Sequence, residues 1–139
     1  MKGLAFFDTN VFLYADDKSV MQKQNRAIEL VADYQLNGLA LVSLQVLQEY
    51  FVVATRKLGV DAALAQKKVE LMSRMRVVRL HEDDIISAIE LHRLHQILFW
   101  DAMIVRAARL GGAEVIYSED LQDGGSLAGV NIVNPFRKS

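Results

Sequence analysis

Short apolar runs rich in aromatic and β-branched residues alternate along this chain with longer stretches of helical periodicity. That alternation restricts the fold more than any other feature. Strands are predicted over residues 2–7, 39–42, 76–80, 114–117 and 130–133. Between them, helical patterns cover a turn at 11–14 and then 19–36, 44–58, 62–75, 82–95 and 100–110. Local punctuation agrees with this division. Ser43 and Asp61 stand where helix caps belong, Asn37-Gly38, Gly59 and Gly111-Gly112 stand where helices stop, and Glu82, Asp83 and Asp84 load one first turn with negative charge. Strands this short and this apolar suit a parallel sheet covered on both faces, in which ligands gather beyond the carboxyl ends of the strands.

Four acids stand against those apolar stretches. Asp8 follows Leu4-Ala5-Phe6-Phe7, and Glu49 lies within the apolar segment 46–54. Asp101 opens the run Ala102-Met103-Ile104-Val105, and Asp120 comes just after Val115-Ile116-Tyr117. An acid driven toward a core costs free energy unless a cation neutralises it. Each acid also has a plainer reading. Asp8 suits an N-cap, Asp101 a cap in a first helical turn, Asp120 a polar loop, and Glu49 a solvated helix position, although its helical neighbours are Val46, Val52 and Val53. Taken together, four carboxylates at one place would raise each other's pKa values and would call for a bound cation. The chain has no cysteine and only 3 histidines, so the donors are oxygens and the fitting ion is hard, Mg²⁺ or Mn²⁺. Such an ion pairs with phosphate oxygens and activates water, which points to phosphodiester hydrolysis.

Bulk composition bears on the partners and the compartment. A length of 139 residues, 52% of them hydrophobic with 8 glycines and 1 proline, fits a single domain spanning 1–139. No apolar run approaches the roughly 18 residues of a membrane span, the N-terminal apolar stretch is too short for a signal peptide, and the lack of cysteine fits the cytoplasm. Net charge is −1, so no global basic field advertises nucleic acid. Setting the four acids aside leaves 13 against 16 basic residues, a mild excess of base compatible with a phosphate-bearing substrate.

The residues around the four acids resemble the PIN domain family. Asp8-Thr9-Asn10 after an N-terminal strand is similar to its opening motif, and Glu49 within Ser43-Leu44-Gln45-Val46-Leu47-Gln48-Glu49-Tyr50 to its second. Phe99-Trp100-Asp101-Ala102-Met103-Ile104 resembles the third, and Tyr117-Ser118-Glu119-Asp120-Leu121 the fourth. Within that family the nearest likeness is to VapC-type toxins. The resemblance implies a three-layer α/β/α sandwich around a mainly parallel sheet. It also implies an Mg²⁺-dependent ribonuclease acting on RNA, a homodimer, and inhibition by a cognate antitoxin whose tail reaches the active site. Carried over by position, Asp8, Glu49, Asp101 and Asp120 would be the catalytic and metal-site acids. Thr9, Asn10 and Ser118 would orient them by hydrogen bonds, with Asp123 a further supporting candidate.

Other readings stay open beside this one. Asp8 at a strand end could serve as the nucleophile of an aspartyl phosphatase or phosphotransfer protein, but the second Asp such enzymes place two residues later is Asn10 here, and the late strand ends carry Ser118 and Asn134 rather than Lys. A non-catalytic RNA- or protein-binding module on the same fold is the other alternative. His92 and His95 share a predicted helix face without further ligands, so a surface or core role is expected of them. Arg74, Arg76 and Arg79 suit either RNA phosphates or a strand edge kept from pairing, and Arg106 and Arg109 suit ion pairs within the fold or with an acidic partner. Trp100 reads as packing that holds Asp101 in place, not as a platform for a base.

Overall fold

In the computed structural model, which describes residues 2–121 and 124–137, the chain runs β1 (Ala5–Phe7), α1 (Thr9–Asp16), α2 (Met21–Leu36), β2 (Ala40–Ser43), α3 (Leu44–Arg56) and α4 (Ala62–Met72). It continues through β3 (Arg76–Val78), α5 (Glu82–His95), α6 (Phe99–Leu110), β4 (Val115–Tyr117), β5 (Ser126–Leu127) and β6 (Val130–Val133). Asp123 lies outside the described residues. Among them the strands form one sheet in the order β3-β2-β1-β4-β6-β5, with helices on both faces. Every pairing is parallel except β5 with β6. The expected α/β fold with a mainly parallel sheet is therefore observed.

β1 and β4 sit at the centre of that order, where the sheet is covered on both faces: Ala5, Phe6 and Phe7 are wholly buried, as is Ile116. α1 packs on α2 and α3, α3 on α4, and α5 on α6. The local signals act where they stand in the sequence. Ser43 Oγ accepts from the Val46 N–H and Asp61 Oδ2 from the Ala63 N–H. Gly38 takes φ +68, a left-handed conformation that ends α2 and turns the chain into β2. β3 is a border strand and its three neighbouring arginines are exposed, a placement that suits the edge reading of them, and Arg76 Nε reaches back to the Gly38 carbonyl at 3.2 Å.

Several details differ from the sequence expectation: β1 starts at Ala5 rather than residue 2 and β3 ends at Val78 rather than residue 80. The turn after Asp8 is a full helix, α1. The segment predicted to run to residue 75 stops at Met72, where Ser73 closes it by bonding back to the Glu70 carbonyl. A further difference is β5, a two-residue strand that was not predicted and that folds back on β6 through Ala128 and Gly129 at φ 51 and 84. Among the described residues no helix is long and apolar enough to cross a membrane.

The parallel topology explains why distant acids approach one another. Asp8 and Ser118 directly follow β1 and β4, so both emerge at the carboxyl edge of the sheet. α3 leaves β2 at the same edge and carries Glu49 in its second turn. α6 leads back into β4, so the first turn of α6, with Asp101, also lies at that edge.

Candidate active site

Asp8 is the most deeply placed of the four acids, at 7% exposure, and it caps α1 as one of its readings required: Oδ1 accepts from the Thr9 N–H at 2.8 Å. Its other oxygen, Oδ2, accepts from the fully buried Ser118 hydroxyl at 2.7 Å and, more weakly, from Asn10 Nδ2 at 3.5 Å. Capping alone leaves this carboxyl poorly placed. Burial raises its pKa above all else, the Ser118 and Thr9 hydrogen bonds lower it, and the charges of Glu49 and Asp120 raise it further, to about 6.

The other three acids reach the same electrostatic neighbourhood. Asp101, half-buried, has its pKa raised by burial first and then by Asp120 and Glu49. Glu49 Oε1 accepts from the Thr9 hydroxyl at 3.0 Å, which ties α3 to the start of α1. Asp120, exposed, accepts from Asn10 Nδ2 at 3.1 Å. No ion pair among the described residues involves any of the four.

Asn10 and Ser118 cross-link this edge. The Glu119 N–H donates to Asn10 Oδ1 at 3.1 Å, and that bond fixes which end of the amide is oxygen. The amide nitrogen is thereby turned toward Asp8, Ser118 and Asp120. Ser118 Oγ accepts from the Asp120 and Leu121 N–H groups at 3.1 and 3.3 Å, so its own proton is free to go to Asp8. Thr9, Asn10 and Ser118 thus each hydrogen-bond one or two of the four acids: Thr9 with Asp8 and Glu49, Asn10 with Asp8 and Asp120, and Ser118 with Asp8.

Two features went unread in the sequence and one was misread. Gln45 stands one helical turn before Glu49, and its amide bridges Glu49 Oε1 at 3.4 Å and the Trp100 carbonyl at 3.3 Å. The i,i+4 spacing was the available signal. Glu119 joins Tyr14 Oη at 2.6 Å and Lys23 Nζ at 2.5 Å. Its burial would raise the carboxyl, but Lys23 and Tyr14 outweigh that and hold it low. Trp100 corrects an expectation: it is 61% exposed and leans edge-on against Phe99, so its indole does not pack Asp101 into place. The ends of α6 project from the fold while its middle is buried. Arg106 and Arg109 are spent within the fold, on Asp84 and on the Ala128 carbonyl. His92 and His95 are exposed, with His92 Nδ1 against the Ile97 carbonyl.

Among the described residues no three acidic or histidine side chains form a ready-made ion cage. The residues nonetheless fit a hard divalent ion. Their donors are all oxygens, their mutual charge is unneutralised, and burial has pushed Asp8 up; a nearby cation would reverse that penalty. Mg²⁺ in particular keeps several waters and needs only one or two carboxylates directly, so a closed protein cage is not required.

Among solved structures, the sarcin-ricin loop cleaving toxin VapC20 of Mycobacterium tuberculosis is similar at TM-score 0.69 and 24% identity, over 84% of this chain and 89% of that one. A toxin–antitoxin complex from Klebsiella pneumoniae is similar at TM-score 0.69 and 20% identity, over 94% and 97%. VapBC2 of Rickettsia felis, bound to a promoter DNA fragment, is similar at TM-score 0.63 and 19% identity, over 93% and 96%. At these identities the likeness is one of fold. No curated protein matches the chain. Residues 5–122 match the PIN domain family, and they carry the strand ends, the four acids and the Asn10–Ser118 link, so this chain belongs to the PIN domain family.

Proposed function

We propose that this chain is an Mg²⁺-dependent endoribonuclease that hydrolyses RNA phosphodiester bonds, with Mn²⁺ as a substitute ion, and that it is the toxin of a type II toxin–antitoxin pair. The observation that carries the reading is the set of four carboxylates, drawn from four elements to one sheet edge and left without a cation, in a PIN family chain. The neighbours in fold support the biological setting, since one is described as a toxin that cleaves the sarcin-ricin loop and others as toxin–antitoxin complexes. The reading includes a single nuclease domain over residues 1–139, a cytoplasmic homodimer, and a cognate antitoxin that silences it.

Asp8, Glu49, Asp101 and Asp120 would hold the ion, which when bound supplies Lewis acidity toward the phosphate and toward water. The chain's own residues do the positioning. The Ser118 hydroxyl and the Thr9 N–H fix the two oxygens of Asp8, and the Thr9 hydroxyl with the Gln45 amide fixes Glu49 Oε1. Asn10 holds Asp120 at the register of Asp8 and Ser118. Burial and mutual charge raise the carboxyls of Asp8 and Asp101, so an ion held among them would be favoured by relieving that penalty.

The test is cleavage of total cellular RNA by the purified chain with Mg²⁺, with a chelator, and with Asp101→Asn. Mg²⁺-dependent cleavage lost in the variant supports the reading, whereas cleavage that survives both treatments overturns it. An acyl-phosphate trapped on Asp8 would instead favour phosphotransfer.

A further inference from the structure

A second surface opens at the same sheet edge, on the far side of Glu119 from the acids. α2 leads back into β2, so its first turns lie at the carboxyl edge, and the chain leaving β6 emerges beside them because β6 runs parallel to β4. Between the two is a groove of about 710 Å³ lined by Gln22, Lys23, Arg26, Pro135, Phe136 and Arg137 among others, with no acid in its lining. Lys23 is held rigidly there. Its ammonium sits 4.6 Å from the centre of the Tyr14 ring and 5.8 Å from that of Phe136, and the two rings meet edge to face at 4.8 Å. Arg26, one helical turn on, anchors its guanidinium through Nε to the Pro135 carbonyl at 3.1 Å, and its two terminal nitrogens carry four more N–H donors.

Glu119 couples this groove to the acids. Its side chain bonds Lys23 and Tyr14, while its backbone N–H bonds Asn10, whose amide touches Asp8, Ser118 and Asp120. Glu119 offsets Lys23, while Arg26 bonds a neutral carbonyl, so Arg26 leaves positive charge in the groove next to a strongly negative cleft. A polyanion would be repelled at the acids until metal is bound, and needs an anchoring surface beside them. We propose that the Lys23–Arg26–Phe136 groove is the substrate-anchoring site, where a phosphate of single-stranded RNA, a short distance along the strand from the bond to be cut, is held by Arg26 while an adjoining base lies on the aromatic wall. The inference rests on the ribonuclease reading and adds to it a path for the strand. Arg26 is a positioning residue in this scheme, since it does not touch the reacting atoms.

The experiment measures binding of a fluorescein-labelled single-stranded RNA oligomer of mixed sequence to the full-length Asp101→Asn chain in Mg²⁺, across a salt series. Arg26→Ala should weaken binding roughly fivefold, and the slope of log affinity against log salt should become shallower by about 0.7, the value for one lost phosphate contact on a single strand. Arg26→Lys should keep that slope, because the charge remains. With Asp101 restored, Arg26→Ala should raise KM and leave kcat within about twofold. Unaltered affinity, slope and KM in Arg26→Ala, with RNA still bound by the parent, would overturn the groove alone. Loss of binding to an acidic peptide but not to RNA would likewise overturn it, assigning the groove to a protein partner. A parent chain that neither binds nor cuts RNA would overturn the ribonuclease reading and the groove with it.

Discussion

Asp8 and Asp84 are covered almost equally, at 7% and 6% exposure, and both serve the start of a helix, yet their carboxyls are driven in opposite directions. Asp84 Oδ2 accepts from the His81 N–H at 2.9 Å, and its Oδ1 takes two N–H groups of Arg106, at 3.0 and 2.8 Å. Those contacts, the His81 N–H first and then Arg106, hold its pKa below the usual range, because it is shallow enough that burial counts for less. Asp8 lies deeper, has hydrogen bonds but no cation, and faces Glu49 and Asp120, so it is pushed up. The chain therefore supplies a positive partner where an acid only has to hold two helices together, and withholds one at the edge where four acids approach. Asp84 is given its counter-charge by the fold, whereas Asp8 is left with hydrogen bonds alone.

Exchanging each of the two for its amide breaks the comparison most directly. Asp8→Asn should lower RNA cleavage by more than about a thousandfold with the chain still folded, since a ligand to the ion is gone. Asp84→Asn should leave cleavage within about threefold and lower the melting temperature by a few degrees. Cleavage retained in Asp8→Asn would show that the two acids are alike after all.

The next effect is on stability. The folded pKa of Asp8, about 6, exceeds the ordinary 3.8, so its favourable contribution is complete below about pH 3.8 and is lost as pH rises through 6. Two pKa units correspond to roughly 3 kcal/mol, an order of magnitude for a group this buried. Urea melts of the metal-free chain should therefore show falling stability from acid to neutral pH relative to Asp8→Asn, which lacks the titrating group. Asp101 is shifted the same way and adds to the slope in both proteins. Saturating Mg²⁺ should recover stability at neutral pH, by roughly 3 kcal/mol at a hundred times its Kd, in the wild type but not in the variant. A pH profile identical in the two proteins would remove Asp8 from the account.

Much of this contrast could be read in the sequence, and the part that could not is instructive. The alternation of apolar runs with helical patterns puts Asp8 and Asp120 just beyond strand ends, at one edge of a parallel sheet, whereas Glu49, inside an apolar segment, and Asp101, ahead of one, are tied to them in the sequence by that apolar setting and by the family resemblance. Ser43 and Asp61 act at the caps where they stand. By contrast, the partner of Asp84 lies on the next helix, and nothing local marks Arg106 rather than Arg109 for that role. β5 has two residues, too few to show a period, and its turn places Ala128 at φ 51 where glycine or asparagine would be the usual cue. Arg109 Nη1 bonds the Ala128 carbonyl at 2.7 Å, one of the tertiary contacts at that turn. Trp100 misled because an apolar helix suggests burial all round, whereas its first turn projects beyond the sheet.

Asn10 tests how far the unpaired edge depends on neutral support. Asn10→Ala removes three weak amide contacts and the acceptor for the Glu119 N–H, leaving the Asp120 carboxylate without its side-chain link to Asp8, while the Asp120 N–H still bonds Ser118 Oγ. Loss of an orienting residue around a metal commonly costs ten- to a hundredfold. The expected outcome is a loss of cleavage in that range, with the Mg²⁺ concentration for half-maximal activity raised. An unchanged Mg²⁺ requirement would mean that Asp120 is held by its own loop.

The smallest effect sharpens the comparison from the other side. Arg106→Met keeps the hydrophobic stem beneath Asp84 but removes the guanidinium, so Asp84 becomes a covered acid with the His81 backbone donor and, 3.8 Å away, the His81 ring as its remaining partners, closer to the situation of Asp8 without its acidic neighbours. Its pKa should rise from below the usual range toward it, followed by NMR titration of the Asp84 side chain. Since a lowered carboxyl contributes stability that is lost only as pH falls through its folded pKa, the variant should be less stable at neutral pH and should lose less on acidification than the wild type. Cleavage should stay within about twofold, because Arg106 is engaged with Asp84 and not with the four acids. If Asp84 keeps its low pKa in the variant and also when His81→Ala removes the ring, the His81 N–H alone accounts for it. Hydrogen bonds would then suffice at a shallow site, and the height of Asp8 would have to be assigned to depth and to Glu49 and Asp120, not to the missing cation.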